Sequence, residues 1–139
     1  MIQQTACTVF KVNLASRLED FTATSPYTYK IALYTANANL GPTTTAYTSD
    51  GEITGTGYTA TGKNLTIIPV TSNGTVAYFS FNNVTWDPAI FTARGALIYN
   101  STTGAAVCVL DFGSDKTATN TFTVTFPTAT STDAVIRLN

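Results

Sequence analysis

The stretch Leu65–Phe81, LTIIPVTSNGTVAYFSF, decides the fold class. Two runs of aliphatic, aromatic and β-branched residues, Leu65 to Val70 and Thr75 to Phe81, flank Ser72-Asn73-Gly74. An Asn-Gly pair between apolar runs is the strongest short-range hairpin signal, because both central residues of a type I′ turn take positive φ. The sequence therefore predicts an antiparallel hairpin, and with it a hydrophobic period of two.

The same period continues on both sides. Downstream, Val84-Thr85-Trp86 is ended by Asp87-Pro88, and Phe91–Asn100 and Ala105–Phe112 form a second hairpin around Ser101 to Gly104. Gly113 to Thr117 (GSDKT) reads as a turn. Thr119–Phe126 then alternates, with Phe122, Val124 and Phe126 on one face and Thr121, Thr123 and Thr125 on the other, until Pro127 closes it. Asp133–Leu138 is a last strand. Upstream, Tyr27–Thr35 (YTYKIALYT) is a long strand, Asn37–Thr45 a loop with Gly41-Pro42, and Gly51–Lys63 an irregular glycine-rich connection. The one helix falls near the start, over about residues 9–21, where Phe10, Leu14, Leu18 and Phe21 keep helical spacing before Ser25-Pro26. Seven or eight antiparallel strands separated by turn signals predict an all-β β-sandwich or jelly roll in a single domain over 1–139.

Composition agrees. Charged residues are only 11% of the chain, and threonine, about one residue in five, takes their place. Threonine is β-branched and suits a pleated surface with one wet face. The net charge of −1 and the scattered basic residues Lys11, Arg17, Lys30, Lys63, Arg94, Lys116 and Arg137 offer no stripe for nucleic acid or an anionic membrane. No apolar run approaches a membrane span, and the N-terminus lacks the pattern of a signal peptide. Cys7 and Cys108 are read either as a bridge or as two buried free thiols.

No catalytic, cofactor-binding or metal-ligating residue is assigned. Histidine is absent, which removes the usual general base and the commonest zinc ligand. The acids Glu19, Asp20, Asp50, Glu52, Asp87, Asp111, Asp115 and Asp133 fall mostly in turns, where carboxylates bond backbone N–H groups; a glycosidase pair is possible in space, but no spacing singles one out. Gly57–Lys63 matches G-x-x-x-x-G-K, but Asn64 stands where a P-loop needs Ser or Thr, and Leu65–Pro69 reads as strand where a P-loop opens a helix. Asp111-Phe112-Gly113 is a strand end before a turn. The Asn-x-Thr/Ser triplets at Asn64, Asn73, Asn83 and Asn100 follow from abundant threonine. The seven tyrosines form either a carbohydrate-stacking face or a half-buried set with hydroxyls at the surface.

Several phrases together resemble one family. Tyr29–Thr35 (YKIALYT), Thr43–Tyr47 (TTTAY), Gly55–Ala60 (GTGYTA), Phe91–Asn100 (FTARGALIYN) and Val109–Gly113 (VLDFG) are similar, in the same order, to small virion proteins of tailed bacteriophages. Size and strand pattern resemble the jelly-roll cement, or decoration, proteins of phage capsids, that of a Bordetella phage among them. The resemblance implies a non-enzymatic protein that stabilises the outer capsid surface by clamping neighbouring major capsid subunits. It implies the major capsid protein as partner, a homo-oligomer (a dimer before a trimer), and synthesis in the host cytoplasm. No cofactor, nucleic acid or membrane partner is expected. The other reading is a tail or fibre component that binds the host surface. No contact motif is local enough to carry over, so protein-contact residues stay unassigned.

Overall fold

The computed structural model describes residues 1–139. In chain order the elements are β1 (Thr5–Ala6), α1 (Thr8–Ala15), β2 (Tyr29–Tyr34), β3 (Lys63–Asn64), β4 (Ile67–Asn73), β5 (Val76–Phe81), β6 (Val84–Trp86), β7 (Phe91–Asn100), β8 (Ala106–Ala118), β9 (Phe122–Val124) and β10 (Ile136–Leu138). The chain is all-β with one short helix. A five-stranded sheet runs β1-β8-β7-β2-β3, a three-stranded sheet β10-β5-β4, and β6 pairs with β9; every ladder is antiparallel.

Aromatic side chains join the layers. Phe21 stacks on Tyr29 of β2 (centroids 4.6 Å apart) and on Phe79 of β5 (3.9 Å), while Trp86 of β6 and Phe122 of β9 pack around Phe91 of β7. The 33 buried apolar residues form one cluster. β2 and the centre of β7 are buried on both faces, which is why they read as near-continuous apolar runs. β9 keeps the predicted alternation: Phe122, Val124 and Phe126 are buried, and the three threonines between and beside them are exposed.

Four expectations are corrected. The helix ends at Ala15, not near 21. Ser16 and Arg17 close it, with the Leu18 N–H donating to Asn13 O (2.8 Å), the Arg17 N–H to Leu14 O (3.3 Å), and Arg17 left-handed at φ 62°. Phe21 still reaches the core, but on a loop, and Leu18 is left in solvent. The Leu65–Phe81 hairpin forms, yet its ladder closes on Asn73–Val76, so Gly74 (φ 61°) and Thr75 are the two loop residues. Positive φ at the first loop position alone is the pattern of a type II′ turn, so Asn73 belongs to the strand.

The turn expected at Gly113–Thr117 is instead a bulge inside β8. Between the pairs Ala93–Lys116 and Gly95–Asp111, Arg94 alone faces Phe112–Asp115. Asp111 stabilises the excursion by accepting the Gly113 N–H (2.9 Å) and pairing with Arg94 Nε (2.9 Å). Finally, the last strand shrinks to Ile136–Leu138, and two-residue strands β1 and β3, too short to give a period, appear at the ends of the large sheet.

Candidate functional site

The glycine-rich connection carries the densest polar chemistry. Gly57 and Gly62 lie against other backbone: a Cβ on Gly57 would stand 1.8 Å from Pro88 O and one on Gly62 1.9 Å from Ile31 O, and both have positive φ. Only glycine fits that approach. After Gly62 the chain enters β3, not a helix, so the P-loop match has no amide cradle, and Lys63 Nζ is used on Thr85 O. This connection is therefore a backbone layer pressed onto β2 at Gly62 and onto the Pro88–Ala89 backbone at Gly57.

Glu52 holds that layer. Its Oε1 accepts the Tyr58 hydroxyl (2.6 Å) and the Thr61 N–H (2.8 Å), and its Oε2 accepts the Tyr47 hydroxyl. Tyr58 Oη in turn accepts the Leu33 N–H (2.9 Å). Tyr34 and Tyr99 donate to the carbonyls of Thr48 (2.7 Å) and Thr61 (2.6 Å), and Tyr47 stacks on Tyr99 at 5.0 Å. Burial, with Glu52 beside them, pushes the Tyr47 and Tyr58 hydroxyls well above their ordinary range, so they remain donors. Four tyrosines and one carboxylate thus make a clasp, with every Glu52 contact directed at the chain itself.

This corrects the tyrosine reading. Four of the seven, Tyr27, Tyr47, Tyr58 and Tyr78, are half-buried as expected, but Tyr29, Tyr34 and Tyr99 are buried, and their hydroxyls, like those of Tyr47 and Tyr58, bond to the chain itself. The clasp draws on four separate segments, and no local spacing announces it.

Glu19 is the second carboxylate the sequence did not single out. It is buried at 7% exposure, its Oε2 accepts the Tyr29 hydroxyl (2.6 Å) and Asn100 Nδ2 (3.2 Å), and its Oε1 has no partner. Burial raises its pKa, against the lowering effect of those two hydrogen bonds. Among the other acids, Asp20 accepts the Thr22 N–H (2.8 Å) as a turn carboxylate should, while Asp50, Asp87, Asp115 and Asp133 are exposed. Asn100 is buried and its Oδ1 accepts the Thr102 and Thr103 N–H groups, so that triplet is a turn cap. Cys7 and Cys108 are buried free thiols, Cys7 Sγ donating to Gly41 O at 3.7 Å.

The surface adds two features. Threonine hydroxyls pair across strands on exposed faces, Thr85 with Thr123 (2.9 Å) and Thr92 with Thr117 (2.8 Å). A groove runs along the outer edge of β8, where three cavities of about 430, 260 and 380 Å³ adjoin by sharing Leu110, Phe112, Val124 and Val135. No helix is long and apolar enough to cross a membrane. No family model, curated protein or solved structure matches the chain.

Proposed function

We propose that this chain is a structural protein of a tailed-bacteriophage particle, a jelly-roll cement that binds the outside of the capsid and clamps neighbouring major capsid subunits. The observation that carries the reading is where the phage-like phrases fall. Tyr29–Thr35, Phe91–Asn100 and Val109–Gly113 supply the three central strands of the large sheet, and Thr43–Tyr47 and Gly55–Ala60 supply Tyr47 and Tyr58 of the Glu52 clasp. The resemblance therefore lies in the parts that make a rigid framework, and its carboxylates and tyrosines are used to fix loops.

Such a framework suits the role. A cement adds stability by binding the assembled shell and not its separated subunits, and many symmetric copies multiply the effect. A chain that docks as a preformed body loses little conformational entropy in doing so. Faces rich in paired threonine hydroxyls and poor in charge suit a broad polar contact with weak salt dependence. The expected homodimer would match two-fold positions on the shell.

Adding the purified protein to particles stripped of it tests the proposal. It should co-sediment with the shells and raise the temperature at which they open. Protein that stays in the supernatant at every salt concentration would overturn the reading; binding to host cells instead would favour the tail assignment.

A further inference from the structure

We infer that the opening between β8 and β10 is a binding site for a medium-chain fatty acid, its alkyl tail between the sheets and its carboxylate at the α1 end. Three observations converge. First, the opening is walled by separate elements. Phe10 and Lys11 of α1, Leu110 of β8 and Ile136 of β10 stand around a cavity of about 430 Å³. Past Leu110, Ala134 and Val135 it adjoins a second cavity of about 260 Å³ that ends on Phe112, Val124 and Phe126. The two together fall in the size range of small-molecule sites. Second, the β8 wall has no amide to offer along this passage. Cys108 and Val109 are paired with β1, the Asp111 N–H donates to the Gln4 side-chain carbonyl (3.0 Å), and the Gly113 N–H donates to Asp111 Oδ1 (2.9 Å). A peptide or a sugar would bury polar groups there without partners, at a cost an alkyl chain does not meet.

Third, charge lies at one end only. Lys11 and Arg137 line the larger cavity, and no charged side chain lines the smaller one. No Asp or Glu side chain lines either, and the chain's only ion pair is Arg94–Asp111, so both cations lack a carboxylate partner. Even with the terminal carboxylate of Asn139 at the same mouth, the two cations leave it positive. Arg137 Nη1 donates to Ser131 O (3.2 Å), which holds the guanidinium in place and leaves its other N–H groups for an anion. A positive mouth on an uncharged apolar passage matches a carboxylate on an alkyl tail. This goes beyond the capsid reading and stands apart from it: ligand binding tests the opening, and shell binding tests the function.

The probe is dodecanoate, titrated into the full chain by calorimetry below its micelle concentration. It should bind saturably, one molecule per chain. Octanoate should bind more weakly, since each methylene buried is worth roughly a 2- to 4-fold gain. Dodecyltrimethylammonium, with the same tail and the opposite charge, should bind about 10-fold more weakly or worse. Ala134→Trp, which fills the junction of the two cavities, should lose about 10-fold or more, and K11E/R137E, changed only at exposed positions, should prefer the ammonium. Both variants should keep native circular dichroism. Absence of saturation, equal affinity for octanoate and dodecanoate, equal affinity for anion and cation, or unchanged binding by either variant in its native fold would each overturn the proposal. Should the variants fail to fold, the chain-length and charge comparisons on the unaltered chain decide it.

Discussion

Three donors converge on Glu52, and two of them, Tyr47 and Tyr58, come from segments the clasp ties together. Removing the acceptor strands all three, so Glu52→Ala should cost about 2–3 kcal/mol, whereas Tyr58→Phe, which deletes one donor, should cost about 1 kcal/mol. Urea unfolding of both variants measures this, and equal small losses would show the clasp to be incidental. Glu19 gives a pH signature. Its folded pKa is raised above the ordinary carboxyl value, so it favours the folded state fully at pH below that ordinary value, and the contribution is lost as pH rises through the folded pKa. Relative to Glu19→Gln, the parent chain should therefore weaken as pH rises from below the ordinary carboxyl value through the raised folded one; a pH-independent difference would contradict the assignment. Burial pushes the Cys7 thiol up to about 11 and Cys108 up to about 12. Both should react with a thiol reagent only as the chain unfolds, and rapid labelling of native protein would refute it. The buried free thiols were one of the two readings the sequence offered, but the carboxylate contacts were not legible beyond residue type, because Glu19 meets Asn100 and Glu52 meets Thr61 only after distant segments come together.

The elements show where periodicity suffices and where it fails. Phe91–Asn100 has the predicted bounds, and both hairpins form, since each rests on local turn chemistry beside period-two runs. The helix was overrun because Phe21 keeps helical spacing from Phe10 although Arg17 has already reversed the chain. That reversal makes a prediction. Arg17 is exposed and holds the left-handed position where glycine is usual, at a cost of order 1 kcal/mol for a residue with a Cβ. Arg17→Gly should stabilise the protein by about 0.5–1 kcal/mol, read as a higher Tm; a lower Tm would mean that the arginine side chain contributes more than its backbone costs. The bulge at Gly113 escaped notice for the opposite reason: a turn-like GSDKT string sits inside a strand that continues because Thr92 and Ala93 go on pairing with it.

For the molecule as a whole, composition and pattern gave the all-β class, and the aromatics gave the material that joins the layers. The β8 groove was not legible, since it consists of what the strands leave uncovered, and edges have no sequence signal apart from their neighbours. We propose that this β framework serves on the outside of a phage shell. Reconstruction of the intact particle at a resolution that traces strands tests it most directly. Many copies of this chain are expected on the outer capsid surface, each spanning a junction between major capsid subunits. Density for the chain confined to the tail, or absent from the shell, would contradict it.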